Sequence, residues 1–367
     1  MKCITVVQCL PALHSGGVER GTLETARALV ERGHRSVIVS GGGRLQAQAE
    51  AEGSEHFKCE IGNKSLLILR SVYKFREFLK ELQPDIVHAR SRLPVWSTLL
   101  AMRQLERKPK FITSVHGLNS PGFYSGVMLR GEKIICVSET VKKHVLDNWP
   151  ATDEKKIVVI TPGIDPKEFS ADRQVDGQWR DDFLQQYPRL QGEKILLLPA
   201  RATRLKGHAF ALNLLAALRK ELGDVRLCCL GSRQPGRERY LQELQHQSQL
   251  MGVADFVEFT RPTKAVDNAY ALSDLVLQLS SKPEAFGRTV LEALSVGRPV
   301  LGWNLGGVGE NLQRYFPPGR VEPFDEEALM QSAKDILQQN IFPEPQNLPS
   351  LVGMQSNMME LYEQLCT

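Results

Sequence analysis

PEAFGRTVLEALSVGRP, residues 283–299, places two glutamates eight positions apart around a Phe-Gly pair, in a segment otherwise suited to a protein core. The preceding LVLQL (275–279) and the following PVLGW (299–303) read as strands, Gly287 as a turn, and Arg288 to Val296 as a helix. Strand, turn, helix and strand in succession are the repeating unit of a parallel sheet. Glu292 lies in that helix among Leu291, Ala293 and Leu294, where an unpaired carboxylate costs on the order of several kcal/mol. It therefore requires a polar partner, either the hydroxyls of a nucleoside ribose or an arginine. Eight residues of ideal helix span about 12 Å, beyond the roughly 5–9.5 Å separating the two carboxylates of a glycosidase.

The same alternation extends through the chain. In the first half CITVVQCL, SVIVS, DIVHA, KFITSV, KIICV and KIVVI read as strands, with helices near 18–32, 66–82, 94–106 and 139–148. In the second half KILLLPA, VRLCCLG and FVEF join the two strands already named, with helices near 207–222, 236–251, 288–296 and 326–340. These patterns predict an α/β protein of two doubly wound parallel units, each too small to need more than one core. Between them, residues 162–193 are rich in Pro, Gly, Asp and Gln, as in a linker holding a short helix. The proline-rich FPEPQNLPS (342–350) precedes a last amphipathic helix near 351–365, free to cap the second unit or return to the first.

Composition fits a soluble globular chain: 367 residues, 42% hydrophobic and 24% charged. No apolar run reaches the roughly 18–20 residues of a membrane span. The short apolar start before Pro11 lacks a small-residue cleavage site and reads as a strand, so a cytoplasmic protein is expected. Seven cysteines without a C-x-x-C pattern predict buried free thiols. The net charge of +4 is uneven: residues 1–165 hold 24 Lys+Arg against 17 Asp+Glu, while the remainder holds 22 against 25. A basic first half suits anionic partners as well as a solvated surface.

The candidate ligand groups fall at strand ends, where open α/β sheets bind ligands. After the first strand, Gly16 and Gly17 open a helix whose backbone N–H groups suit a phosphate or sugar, and the pattern is not the G-x-G-x-x-G of dinucleotide folds. After KILLLPA, Arg201 and then Lys206 with Gly207 begin a helix and suit a pyrophosphate. Phe286 and Gly287 make a third such helix start. His116 follows KFITSV and precedes Gly117, while His88, Arg90 and Arg92 follow another strand and are candidates for reading acceptor anions. Residues 64–83 mix Lys and Arg with Leu, Val, Tyr and Phe at helical spacing, which fits either packing on the sheet or resting on anionic headgroups.

Together these residues resemble the family 4 retaining glycosyltransferases. Glu284 to Glu292 match the E-x7-E signature, and EALSVGRPVLGWNLGGVGE resembles its continuation. GGVE, VHG at 115–117, VSE at 137–139, PGID at 162–165 and R-x4-K-G at Arg201 to Gly207 follow in order along nearly the whole chain. The resemblance implies a GT-B fold, with two Rossmann-like domains facing a central cleft and the last helix crossing back to the first domain. The domains would be residues 1–168 with 352–367, for the acceptor, and 169–351, for the nucleotide-sugar. It implies further that Arg201 and Lys206 hold the donor diphosphate, Glu292 the ribose, and Glu284 the donor sugar or a catalytic position. Gly16 and Gly17 would close over the phosphates, with His116 near the sugar.

A retaining, metal-independent transferase is therefore expected, with no cofactor, UDP as the commonest nucleotide, and a glycan or lipid-linked acceptor of surface polysaccharide or lipopolysaccharide synthesis. Nucleic acid is not an expected partner; peripheral contact with the inner face of the cytoplasmic membrane is. A nucleotide-sugar epimerase of the same fold and a non-catalytic sugar-binding protein are the alternatives.

Overall fold

The computed structural model describes residues 3–14, 16–63, 68–172, 174–344 and 347–367. The start of the 64–83 helix and part of the 342–350 stretch lie outside the described residues. The chain forms two compact units: Met1–Gly163 with Leu351–Thr367, and Ile164–Ser350.

In the first unit the strands are β1 (Thr5–Cys9), β2 (Arg35–Ser40), β3 (Glu55–Lys58), β4 (Ile86–Ala89), β5 (Lys110–Val115), β6 (Lys133–Cys136) and β7 (Ile157–Val159). The crossovers are α1 (Gly17–Glu31), α2 (Gln46–Ala51), α3 (Ile68–Leu82), α4 (Arg92–Met102), α5 (Phe123–Gly126) and α6 (Glu139–Asn148). The sheet runs β3-β2-β1-β4-β5-β6-β7 and is parallel at every pairing. Its central strands are buried along their length, which is why they read as continuous apolar runs. β3, with the sequence EHFK, is a partly exposed strand at the sheet edge and lacks the apolar run that reveals the others.

The second unit holds α7 (Gly177–Gln186), β8 (Lys194–Pro199), α8 (His208–Leu222), β9 (Val225–Leu230), α9 (Glu238–Leu250), β10 (Val257–Phe259) and α10 (Val266–Leu272). It continues through β11 (Leu275–Gln278), α11 (Arg288–Ser295), β12 (Val300–Trp303), α12 (Gly306–Tyr315), β13 (Arg320–Val321) and α13 (Glu326–Gln339). The strand order is β10-β9-β8-β11-β12-β13, again parallel throughout. In both sheets the direction of winding reverses once, between β1 and β4 and between β8 and β11, and at such a point the flanking loops part to leave room for a ligand. The stretch read as a linker is part of this unit: Phe169 is buried against Tyr270, and α7 stacks Trp179 on Phe183 at 4.6 Å.

The last helix, α14 (Leu351–Cys366), belongs to the first unit. Its Met354, Met358, Met359 and Tyr362 are buried against Ile4, Val6, Ile86 and Leu29. Tyr362 also reaches His88 on β4: the His88 Nδ1 and the tyrosine hydroxyl are 2.7 Å apart, and Nε2 lies 2.5 Å from the Ser114 hydroxyl on β5. His88 is fully buried with both ring nitrogens engaged, so its reading as an acceptor ligand is corrected: it ties the last helix to the sheet. The described cysteines are all free thiols, and no described helix is long and apolar enough to cross a membrane.

Burial, with Arg90 and His116 nearby, holds the His88 pKa well below its ordinary 6.5, and burial brings that of His208, at the start of α8, to about 4. The native state then binds fewer protons than the unfolded chain, so this stability is complete above pH 6.5 and drains away as the pH falls toward the folded values. Each histidine costs up to about 1.4 kcal/mol per pH unit below the ordinary value. Urea midpoints should therefore hold nearly level from pH 7.5 to about 6.5 and fall from there to pH 5; a profile flat down to pH 5 would contradict neutral burial.

Candidate active site

In the second unit, three loops leave the carboxyl ends of the neighbouring strands β8, β11 and β12 and are fastened to one another through backbone. After β8, Gly207 caps α8 with a φ of 77°, and a Cβ there would meet the Leu279 carbonyl oxygen at 2.1 Å. The Ser281 N–H donates to the Leu205 carbonyl at 2.9 Å, joining the β8 loop to the β11 loop. After β12, Gly306 has a φ of 62°, and a Cβ on it would lie 2.6 Å from the Glu284 carbonyl oxygen. The same oxygen accepts from the Gly307 N–H at 2.7 Å, and Asn311 of α12 donates to the Phe286 carbonyl at 2.5 Å. The glycines that weaken α12 as a predicted helix are therefore the positions where it touches its neighbour.

This fastening brings the charged groups together. Glu284 Oε1 accepts from Lys206 Nζ and from the Ser280 hydroxyl, each at 2.5 Å. The lysine and glutamate side chains keep 32% and 23% of their surface exposed, so the pair is open to a ligand and contributes little stability by itself. Arg201 is exposed at the start of the same loop and makes no side-chain hydrogen bond or ion pair among the described residues. Phe286 is buried, Gly287 caps α11, and one turn into α11 Glu292 has its partners within the protein. Arg288 Nε lies 3.0 Å from its Oε1, and the buried Tyr270 hydroxyl donates to Oε2 at 3.1 Å. The arginine alternative is thus realised, and the carboxylate is satisfied without a ribose while its side chain stays 13% exposed.

Two family models cover most of the chain: Glycosyltransferase Family 4 matches residues 15–168 and Glycosyl transferases group 1 matches residues 180–348. A crystal structure of a glycosyltransferase from Rickettsia africae is 30% identical, covers all of this chain and 99% of its own, and superimposes with a TM-score of 0.86. The chain is a family 4 glycosyltransferase. Anabaena HepE, solved in complex with UDP and glucose, shares the GT-B fold at 17% identity, with 98% and 100% of the two chains covered and a TM-score of 0.79. Spore coat protein SA of Bacillus subtilis is 26% identical over 64% of each chain.

In the first unit of the glycosyltransferase, a cavity of about 410 Å³ opens at the carboxyl ends of β1, β4 and β5, lined by Arg90, Arg92, Tyr124 and His116 among others. His116 Nε2 is buried without a hydrogen-bond partner among the described residues. Burial and the nearby Arg90 lower its pKa to about 3, so the ring is neutral at any physiological pH and offers one donor and one acceptor. Arg90 is 3% exposed and donates through Nε and Nη2 to the Gln8 side-chain oxygen at 3.1 and 2.6 Å and to Thr25 at 2.9 Å. It thus braces β4 against β1 and α1 while also lining the cavity as a candidate for reading acceptor anions. Arg92 is more open, donating to Ser125 at 3.3 Å with its guanidinium 5.2 Å from the Tyr124 ring centre. Gly16 immediately precedes α1 and Gly17 is its first residue; both are exposed.

The partners Ser280 and Tyr270 have no signal in the sequence, since each contact depends on the fold. Arg288 did have one, lying four residues before Glu292 on one helix face.

Gly207→Ala or Gly306→Ala should destabilise the second unit by about 2 kcal/mol or more, combining positive φ with overlap of backbone atoms. Gly17→Ala, with open space around the added methyl, should be neutral or slightly stabilising. Urea unfolding of the three variants checks the contrast.

Proposed function

We propose that the enzyme moves a sugar from a nucleoside diphosphate sugar, with UDP as the expected nucleotide, onto a hydroxyl of a glycan or lipid-linked acceptor, with retention of anomeric configuration. The observation that carries this reading is the Lys206–Glu284 contact at 2.5 Å beside an exposed, unpaired Arg201, at the reversal point of the second sheet. Two cations at the opening of α8 match the charge of a diphosphate, and the helix start adds its own N–H groups. Anabaena HepE, the structural relative solved with UDP and glucose, supports the same donor class.

On this reading the sugar–phosphate C–O bond lengthens first, and negative charge grows on the leaving diphosphate. Lys206 and Arg201 stabilise that charge more strongly in the transition state than in the bound donor, which is the requirement for acceleration. The acceptor oxygen forms its bond to the anomeric carbon on the face the phosphate leaves, and its proton passes to a departing phosphate oxygen. Glu284, held by Lys206 and Ser280, serves as a ligand of the donor sugar. Glu292, oriented by Arg288 and Tyr270 and partly exposed, holds the ribose. Within the first unit, neutral His116 offers its unpartnered Nε2 to a hydroxyl of a sugar entering the cavity it lines. The two side-chain cations supply the charge that a divalent ion supplies elsewhere.

Lys206→Ala should lower kcat/KM by ~10² or more, on the scale of losing one group that stabilises developing charge. A panel of UDP, GDP and ADP in thermal-shift experiments should raise Tm with one of them by linkage. Sugar transfer should continue unchanged after dialysis against EDTA; loss of rate restored by Mg²⁺ would refute the cationic side-chain reading.

A further inference from the structure

The first unit holds a second, larger cavity besides the one beside His116. A groove of about 970 Å³ lies between α4, α5 with the turn after it, and the end of α6. Its walls include Trp96, Leu100, Phe123 and Trp149, and two arginines, Arg103 and Arg130, stand in it. Phe123 is 81% exposed and packs at a tilt on Trp96, their ring centres 5.3 Å apart and their planes at 47°. An aromatic ring left this open beside a concave apolar surface is the mark of a binding site. Neither Arg103 nor Arg130 has a side-chain hydrogen bond or ion pair among the described residues, and no described residue lining the groove is acidic. Apolar walls with two uncompensated cations are complementary to an anionic amphiphile.

Its position adds the decisive constraint. Residues 122–130 form one wall shared by this groove and the His116 cavity: Phe123, Gly126, Val127 and Arg130 line the groove, while Tyr124 and Met128 line the cavity. The alternation follows helical spacing, so the two spaces lie back to back across a single turn of chain. The Trp96 indole fixes that wall by donating to the Tyr124 carbonyl at 3.3 Å.

We propose that the groove takes the apolar chain of a lipid-phosphate-linked acceptor, with its phosphate held by Arg103 and Arg130 and its accepting hydroxyl presented on the His116 side. This rests on the sugar-transfer reading and names the acceptor class for it. A soluble glycan would leave the groove's apolar walls and both arginines without a partner.

Farnesyl phosphate, kept below its micellar concentration, can be titrated into the full-length protein while tryptophan fluorescence is followed, since Trp96 and Trp149 line the groove. A saturable change is expected, absent in a Trp96→Phe/Trp149→Phe variant. Farnesol and inorganic phosphate should each bind at least about tenfold more weakly, because each lacks half of the recognised chemistry. Phe123→Ser should weaken farnesyl phosphate binding several-fold, and Arg103→Glu with Arg130→Glu about tenfold or more. The exposed positions of these side chains should leave Tm and its rise with UDP unchanged. Lack of saturation, binding indifferent to both variants, or inorganic phosphate binding as tightly would overturn the proposal. If none of UDP, GDP and ADP gives a thermal shift while farnesyl phosphate binds as described, the donor reading fails and the lipid groove stands; the reverse outcome removes the groove alone.

Discussion

Two glycines without room for a methyl group set the geometry on which the second unit depends. Gly207 presses against the Leu279 carbonyl and Gly306 against the Glu284 carbonyl, which locks the loops after β8, β11 and β12 into one assembly. Only because those backbones touch can Lys206, 78 residues away in sequence, reach Glu284. The ion pair itself is about a quarter to a third exposed and adds little to folding free energy. Its value is positional: a lysine held by a carboxylate and a carboxylate held by a lysine and a serine have few other orientations to visit before a ligand arrives.

The first unit treats similar residues in the opposite way. His88 and Arg90 stand two residues apart at the end of β4 and resemble the groups of a binding site, yet His88 is sealed between sheet and helix, and Arg90, though it lines the His116 cavity, is nearly buried. A buried guanidinium needs acceptors, and Gln8 and Thr25 supply them; a buried imidazole needs two partners, and Tyr362 and Ser114 supply those. His116, one strand further along, keeps an unpartnered nitrogen beside a cavity. Neighbouring polar side chains at strand ends thus differ in whether the protein itself satisfies their hydrogen bonds.

That division marks how far the sequence can be read. The alternation of β-branched runs with helical stretches is visible because parallel strands are buried on both faces, and the E-x7-E block and its companions carry the family. The polar edge strand β3 and the glycine-started α12 escape because their formation depends on neighbours and not on local preference. Among the site residues, Arg288 is readable as a partner of Glu292 from helical spacing, whereas Tyr270 and Ser280 are not, since no periodicity links them to the carboxylates they hold. The aromatic groove is assembled from segments between Trp96 and Trp149, none of which is unusual by itself.

The docking of α14 on the first sheet has a consequence for biosynthesis. Residues Ile4, Val6 and Ile86 leave the ribosome before the whole second unit is made, and Met354, Met358 and Tyr362, which cover them, follow only after it. At translation rates of about 5–20 residues per second, the nascent first unit remains uncapped for roughly ten seconds or longer while the second is synthesised. During that interval its exposed isoleucines and valines are a natural client surface for chaperones, and truncated transcripts lacking the 3′ end would yield chains whose opening half never closes.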